Sequence, residues 1–259
     1  MITSTSNKKV KDVILLTRKA PLRKEKGLFV VEGIKMFREV PDDDLEEVYA
    51  SESFYNTCPA DIKVRLRSVR HEIVTDAVYQ YMSDTKTPQG ILAIVKKSDY
   101  ELDDLLGERP ALMVLETLQD PGNLGTIIRM AEAAGITGIV MNNETCDVYN
   151  PKVVRSTMGA IFRVPFLYTA DLEGTIGELK AKGVRTYAAH LDGKESYDKF
   201  DFTAPSAFMI GNESNGLSER IAALADEKII IPMLGKVESL NAAIAASILS
   251  FELARQRRN

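Results

Sequence analysis

Residues 111–135 read ALMVLETLQDPGNLGTIIRMAEAAG, and this stretch decides the fold. The first five residues are apolar and predict a buried strand. Apolar residues then recur at helical spacing, which predicts a helix from about Asn123 to Ala134. Gly135 follows as a residue that ends helices in a left-handed conformation. A buried strand that leads directly into a helix indicates a parallel sheet with helices on both faces.

The same alternation continues along the rest of the chain, so the predicted fold class is α/β. Further strands are predicted at residues 137–141, 186–189, 207–210 and 228–231. Residues 239–257 predict one long helix whose large apolar side chains share a stripe: Leu240, Ile244, Ile248 and Phe251. The small residues of this helix allow close approach of a neighbour, either inside the core or at an interface.

The first hundred residues predict a separate small α/β domain. A helix is expected over residues 7–18, and strands over residues 28–31, 48–50 and 90–95. A polar, acidic connector then precedes Pro110. We therefore divide the chain into a first domain at residues 1–97, a linker at 98–109 and a second domain at 110–259.

Composition excludes several classes of protein. In 259 residues, an apolar fraction of 45% is enough for a substantial core. Two cysteines and two histidines are too few for a disulfide scaffold or for a metal centre built from these residues. The opening residues lack the apolar core of a signal peptide, and no apolar run approaches the roughly 18 residues of a membrane span. We expect a soluble, cytoplasmic protein without a bound metal.

Charge is unevenly distributed along the chain. The formal net charge is −4, yet residues 1–27 hold eight lysines and arginines against two acids, a local charge of +6. Two more basic clusters lie at residues 63–70 and 255–258. A solvated surface explains any one cluster, whereas three together favour phosphate contacts. The side chains predicted to contact RNA in the first domain are Lys8, Lys9, Lys11, Arg18, Arg23 and Lys24.

Three turns rich in glycine and asparagine follow predicted strands. They are QDPGNLGTIIR at residues 119–129, IGNESNGLS at 210–218 and IPMLGKVESLN at 231–241. Each turn alone is explained by the backbone freedom of glycine and asparagine. No dinucleotide-binding G-x-G-x-x-G, phosphate-binding P-loop or G-x-S-x-G nucleophile motif occurs in the chain.

In this order, the three turns resemble motifs 1, 2 and 3 of the SpoU (TrmH-type) RNA 2′-O-ribose methyltransferases, over residues 110–259. RSTMGA at residues 155–160 is also similar to a stretch of that family, and SDTKTPQG at 83–90 resembles the end of its accessory substrate-binding domain. The resemblance implies a SPOUT-type parallel sheet with a C-terminal trefoil knot, preceded by a small RNA-binding domain. It also implies a homodimer in which the partner completes each active site.

The resemblance implies S-adenosylmethionine as the cofactor, held in a bent pose mainly by backbone atoms. The residues expected to contact it are Leu115, Ile210, Gly211, Asn212, Gly216, Leu217, Ile231, Met233, Ser239 and Leu240. Transfer of a methyl group from a sulfonium needs an aligned nucleophile in a dry pocket, without a metal or a covalent intermediate.

The resemblance further implies five catalytic residues: Asn123, Arg129, Glu213, Ser239 and Asn241. Arg129 is the family's catalytic arginine, although a guanidinium stays protonated and is better suited to stabilising an alkoxide or binding phosphate than to acting as a base. An exposed helix arginine is the alternative for Arg129. Asn123, Ser239 and Asn241 also fit helix caps, with Ser239 favoured as a partial cap of the last helix.

We expect a methyltransferase that acts on a ribose 2′-hydroxyl in structured RNA, with rRNA favoured over tRNA. A tRNA 2′-O-methyltransferase and a catalytically silent RNA-binding assembly factor remain as alternatives. The intact set of five catalytic residues argues against the silent factor.

Overall fold

The computed structural model describes residues 1–258 of the chain. Within them the strands are β1 (Leu28–Glu32), β2 (Leu45–Ser51), β3 (His71–Val74), β4 (Ile91–Lys96), β5 (Ala111–Leu115), β6 (Gly138–Asn142), β7 (Phe166–Thr169), β8 (Arg185–Ala189), β9 (Glu195–Ser196), β10 (Ser206–Ile210) and β11 (Glu227–Ile230). The α-helices are α1 (Lys8–Arg18), α2 (Ala20–Lys26), α3 (Ile34–Glu39), α4 (Glu52–Thr57), α5 (Ala60–Ser68), α6 (Asp76–Met82), α7 (Pro121–Ala134), α8 (Pro151–Thr157), α9 (Leu172–Ala181), α10 (Glu219–Ala222) and α11 (Ala242–Arg257).

The chain forms two compact units. The first unit holds Met1–Ser98 and Asp147–Phe162, and the second holds Asp99–Cys146 and the chain from Arg163 onward. Residues 147–162 therefore pack with the first unit, although they fall inside the predicted second domain. Helix α8 contacts β1, and the Phe29 and Tyr149 rings lie 4.6 Å apart. Apart from this segment, the division into residues 1–97, 98–109 and 110–259 stays a prediction.

The first unit contains a mixed four-stranded sheet in the order β1-β4-β2-β3. Strands β1 and β2 run antiparallel to β4, and β3 runs parallel to β2. Phe29, Phe37 and Tyr49 are buried in its core, so none of the three is exposed for stacking on a base.

The second unit contains a seven-stranded parallel sheet in the order β7-β6-β5-β10-β8-β11-β9. The predicted parallel α/β fold is therefore confirmed. The chain runs outward from β5 to β7 and then returns to the other side of β10. Loops that follow strands on the two sides of such a reversal diverge, which opens a crevice at the carboxyl ends of the strands.

Helix α7 begins two residues earlier than predicted because Asp120 caps it and Pro121 occupies the first turn. The Asp120 carboxylate accepts a hydrogen bond from the Asn123 N–H at 2.8 Å. A proline is tolerated there because its missing N–H would have no partner inside the helix. Gly135 ends the helix at φ 74°, as predicted.

Helix α11 buries several small side chains together with Leu249 and Leu253, and exposes part of its apolar stripe. Ala242, Ala243 and Ala246 are buried, and the helix packs against α7. The small residues therefore serve the core of this chain. In contrast, Ile244 is 52% exposed and Phe251 is 47% exposed, so the large apolar stripe is open.

No helix within residues 1–258 is long and apolar enough to cross a membrane.

Candidate active site

A cavity of about 460 Å³ lies at the carboxyl ends of β8, β10 and β11. Its walls come from residues 189–192, the turn at 210–217 and the stretches 229–231 and 238–240. Pockets for small molecules occupy roughly 300–1,000 Å³ and are lined mainly by apolar groups with a few polar ones. The volume and the mixed lining therefore fit a ligand of cofactor size.

Nine of the ten residues predicted to contact the cofactor line this cavity: Ile210, Gly211, Asn212, Gly216, Leu217, Ile231, Met233, Ser239 and Leu240. The exception is Leu115, which is fully buried in β5 beside Ile210 and lies outside the lining. The cavity lies at the ends of β10, β8 and β11, whereas β5 is on the other side of β10, so Leu115 does not reach it.

The turn after β10 brings two backbone segments unusually close together. Asn212 and Gly216 exchange both backbone hydrogen bonds, at 3.0 and 2.9 Å. A Cβ atom on Gly211 would lie 2.0 Å from the carbonyl carbon of Gly216, and Gly216 itself has φ 68°. Both positions therefore require glycine, and the missing side chains leave backbone atoms accessible at the cavity wall.

Three of the predicted catalytic residues form a chain of hydrogen bonds. The Asn241 amide donates to the side-chain oxygen of Asn123 at 2.9 Å. The Asn123 amide in turn donates to the Glu213 carboxylate at 3.1 Å. One residue from each of the three motifs is thus joined, although they are 28 to 118 positions apart in the sequence.

The Glu213 carboxylate has further donors in the turn before α7. The backbone N–H groups of Gln119 and Asp120 donate to it at 3.1 and 2.9 Å. Partial burial raises the pKa of Glu213, but the hydrogen bonds from Asn123, Asp120 and Gln119 outweigh it and hold the pKa below its usual value. Glu213 is therefore ionised at neutral pH, which suits it for orienting donors and not for supplying a proton.

Asn241, and not Ser239, caps the last helix. Its side-chain oxygen accepts hydrogen bonds from the N–H groups of Ala243 and Ile244 at 2.9 and 3.3 Å. The preference for Ser239 as the cap is therefore wrong, because α11 starts at Ala242 and the residue directly before it, Asn241, is the cap. Ser239 instead lines the cavity.

Arg129 lies on the exposed side of α7, six residues after Asn123. Within residues 1–258 its guanidinium has no hydrogen-bond or ion-pair partner, and it is not part of the cavity lining. An exposed arginine without a protein partner is free to bind an anion from solution.

Sequence reasoning missed two residues between β5 and α7. Glu116 is only 8% exposed and binds Ser218, and Thr117 has the left-handed value φ 55°. For Glu116, the sequence offers only a weak signal of function, a single acidic residue directly after an apolar strand. No sequence signal marks the second, since threonine rarely adopts positive φ.

The predicted RNA contacts of the first unit divide into exposed and enclosed side chains. Lys8, Lys11, Arg18 and Lys24 are exposed. The prediction that Arg23 contacts RNA is wrong. Its side chain is 4% exposed, and its guanidinium donates to the carbonyl oxygens of Leu16 and Thr17 and to the Asp147 carboxylate. It is part of the core and is not available to phosphate.

Lys9 is partly exposed, and its accessibility lies between those of the exposed and the enclosed side chains. Its ammonium lies 2.7 Å from Glu47 and 2.6 Å from Glu72. Hydrogen bonds to these two carboxylates raise the pKa of Lys9 above its usual value. In each of the two later basic clusters, one arginine is bound to backbone carbonyl oxygens and is less available to phosphate. Arg65 donates to the carbonyl oxygens of Val40 and Phe37, and Arg257 donates to those of Phe202 and Pro110.

One group of potential metal ligands occurs within residues 1–258. The ligand atoms of His190, Asp192 and Glu219 lie within 4.8 Å of one another. Both carboxylates are exposed, and Lys228 lies 3.4 Å from Glu219. The expectation of a metal-free protein remains a prediction.

Comparison with protein families agrees with the motifs and with the fold. The model of the SpoU rRNA Methylase family matches residues 110–251, more than half of the chain, and that of the MRM3-like substrate binding domain matches residues 7–93. A 23S rRNA (guanosine(2553)-2′-O)-methyltransferase, RlmP of Bacillus subtilis, is 30% identical over 254 residues, which cover 97% of this chain and 98% of that protein.

Two solved structures are similar over nearly the whole chain. The AdoMet-bound rRNA methyltransferase from Sinorhizobium meliloti has a TM-score of 0.85 at 32% identity, covering 98% of this chain and 97% of that one. The SpoU methyltransferase AviRb from Streptomyces viridochromogenes, in complex with AdoMet, has a TM-score of 0.85 at 27% identity, covering 98% and 99%. The resemblance based on the three motifs is confirmed, and the chain belongs to the SpoU rRNA Methylase family.

Proposed function

We propose that this protein transfers the methyl group of S-adenosylmethionine to the 2′-hydroxyl of a ribose in rRNA. One observation carries the proposal: the hydrogen bonds from Asn241 to Asn123 and from Asn123 to Glu213 join the three motifs beside a cavity that nine predicted cofactor contacts line. Relatives named as rRNA 2′-O-methyltransferases support the same reaction and favour rRNA over tRNA.

The cavity fits S-adenosylmethionine in size and in chemistry. It offers apolar side chains such as Ile231, Met233 and Leu240 for an adenine ring, and accessible backbone around Gly211 for polar groups. When bound, S-adenosylmethionine supplies a methyl group activated by a sulfonium. The ribose 2′-hydroxyl would accept that methyl group and lose its proton, and the cofactor would be left as the neutral thioether.

Arg129 serves this reaction as a fixed positive charge. A guanidinium is not deprotonated in proteins, so Arg129 stabilises negative charge developing on the ribose oxygen or binds the adjacent phosphate. Glu213 and Asn241 hold the Asn123 side chain from opposite ends, which fixes this amide as a positioning group for the ribose.

The first unit supplies affinity for RNA. Lys8, Lys11, Arg18 and Lys24 are exposed for phosphate contacts. We place the reaction in the cytoplasm.

Ribose groups are reached most readily in loops and single strands, so the substrate is structured RNA with an accessible nucleotide.

The active form is a homodimer whose interface includes the stripe on α11. Ile244 and Phe251 are about half exposed, and Ile248 lies between them on the same face. Ile244→Asp should convert the dimer to a monomer in analytical ultracentrifugation, whereas an unchanged sedimentation coefficient contradicts this interface. We also propose that the chain between β11 and α11 is threaded as the trefoil knot of the SPOUT fold.

Mapping of 2′-O-methylation across total RNA, in cells with and without the gene, tests the function. The proposal expects one rRNA ribose to lose its methyl group. A lost methyl group in tRNA instead supports the tRNA alternative. An unchanged map, together with purified protein that does not bind S-adenosylmethionine, supports the catalytically silent factor and contradicts the proposal.

A further inference from the structure

We propose that Glu116 is a positioning residue that holds the cofactor loop, residues 211–218, in its binding conformation. This inference rests on the proposed function, since it assigns to the cavity a molecule of S-adenosylmethionine. Glu116 directly follows β5, is 8% exposed and does not line the large cavity. It would therefore act through the loop and not by touching the cofactor.

The Glu116 carboxylate binds the end of the cofactor loop through two hydrogen bonds. The backbone N–H of Ser218 donates to one oxygen at 2.7 Å, and the Ser218 hydroxyl donates to the other at 2.6 Å. No lysine or arginine within the described chain forms an ion pair with Glu116. Hydrogen bonds to an ionised carboxylate are stronger than those between neutral groups, so these two contacts fix Ser218 firmly.

Ser218 is also the residue at which the loop becomes α10. Its hydroxyl oxygen accepts a hydrogen bond from the Ile221 N–H at 3.3 Å, as an N-cap. Leu217 before it and Glu219 after it both line the cavity. Glu116 therefore sets the position of the cavity wall on both sides of Ser218.

Thr117, the next residue, holds the beginning of the same loop. Its carbonyl oxygen accepts a hydrogen bond from the Asn212 amide at 2.8 Å. Its strained φ of 55° is maintained by Asn142, whose side chain accepts from the Thr117 N–H at 2.8 Å and donates to the Thr117 hydroxyl at 2.7 Å. A strained threonine held by a dedicated side chain is typical of a functional position.

Glu116 and Thr117 thus fasten both ends of the loop that forms much of the cavity wall. Without Glu116, Ser218 exchanges its buried partner for water, and the free loop samples conformations that do not bind the cofactor. The apparent affinity falls by the fraction of molecules that stay competent. At saturating cofactor the bound ligand restores the loop, so the loss should appear in Kd and KM for S-adenosylmethionine and not in kcat.

Isothermal titration of the full chain with S-adenosylmethionine tests the proposal. The variants are Glu116→Ala, Ser218→Ala, the double variant and Glu116→Gln, in which an amide replaces the carboxylate at the same length. Asp226→Ala is the matched control. Asp226 accepts hydrogen bonds from both the N–H and the hydroxyl of Thr186, each at 2.9 Å, and differs from Glu116 in also pairing with Lys180 at 2.8 Å. It precedes β11, so it lies at the amino ends of the strands, opposite to the cavity.

Glu116→Ala should raise Kd about tenfold, which corresponds to about 1.4 kcal/mol of binding free energy. Glu116→Gln should recover most of that loss. The two single variants share only the hydroxyl hydrogen bond, and Ser218→Ala also removes the cap of α10, so the double variant should lose affinity by less than the sum of the two single losses. Asp226→Ala should lower Tm without changing Kd.

Two results would overturn the inference. The first is a Kd for Glu116→Ala within about twofold of wild type, with Tm lowered as in Asp226→Ala, which would make Glu116 purely structural. The second is additive losses in the double variant. If wild-type protein itself fails to bind S-adenosylmethionine, the proposed function fails first, so the two failures are distinguishable.

Discussion

The loops around the large cavity and the basic segment at residues 1–27 use their polar side chains in opposite ways. Beside the cavity, Asn123 binds both Glu213 and Asn241, and Glu213 lines the ligand-sized space. In the basic segment, Arg23 turns inward and is saturated by Leu16, Thr17 and Asp147.

The comparison shows that a count of charges does not give the charge available to a ligand. An arginine carries five donors on a long stem, so carbonyl oxygens left at a helix end can capture it. Arg23 fills this role at the end of α1. The motif residues Asn123, Glu213 and Asn241 are joined by hydrogen bonds and are brought together as the sequence predicts, while their roles in catalysis stay a proposal.

The largest effect is expected at Arg129. Arg129→Ala should lower kcat by about 10²- to 10³-fold, the range found when one charge-stabilising donor is removed from an active site. The Kd for S-adenosylmethionine should stay at the wild-type value, because Arg129 is outside the cavity lining. Single-turnover kinetics and titration measure the two quantities.

Arg129→Lys is the control for charge alone. It keeps the positive charge but loses the planar fork, so it should recover only part of the activity. Turnover of Arg129→Ala near the wild-type rate would show that the exposed arginine is an ordinary surface residue.

The second effect tests the core role of Arg23. Arg23→Ala should lower the free energy of unfolding by about 2–3 kcal/mol, since it leaves buried carbonyl oxygens without a donor and removes the ion pair to one oxygen of Asp147. Urea denaturation measures this change. A loss below about 0.5 kcal/mol, the range of ordinary surface substitutions, would restore Arg23 to the RNA-binding surface.

The third effect is a pH dependence at Glu213. Its pKa lies below the usual value of 4.5, so its hydrogen bonds stabilise the folded protein fully above pH 4.5 and lose that effect as the pH falls through the lowered pKa. Because the group is exposed, solvent screening keeps the contribution below about 1 kcal/mol. The Tm difference between wild type and Glu213→Gln should therefore shrink from pH 7 towards pH 3.5, and a constant difference would contradict this account.

The smallest effect is expected at Lys24, the neighbour of Arg23. Lys24→Ala should change stability by less than about 0.5 kcal/mol, because the side chain is exposed. If it contacts a phosphate, the slope of log affinity for rRNA against log salt should fall by about 1. A slope equal to that of wild type would remove Lys24 from the RNA-binding surface.

Much of the fold depends on residues that are close together in the sequence, so it could be predicted from the sequence. The strand at 111–115 and the helix stop at Gly135 depend on apolar spacing and on one glycine. The glycine-rich turns identified the cavity because only glycine permits the contact between Gly211 and Gly216.

The features that the sequence did not reveal depend on distant partners. The left-handed conformation of Thr117 is maintained by Asn142, 25 positions away in the sequence. Glu116 binds Ser218, which is 102 positions away. Residues 147–162 pack with the first unit although they lie between β6 and β7 in sequence. Asn241 displaces Ser239 as the helix cap because its oxygen reaches two free N–H groups.

Methyl transfer by the purified protein tests the central claim most directly. Wild type and Arg129→Ala are incubated with methyl-labelled S-adenosylmethionine and rRNA that lacks the modification, and nucleosides are then identified by mass spectrometry. We predict a single 2′-O-methylated nucleoside with wild type and almost none with Arg129→Ala. Label on a base instead of a ribose, or no label with a wild-type protein that binds the cofactor, would contradict the account.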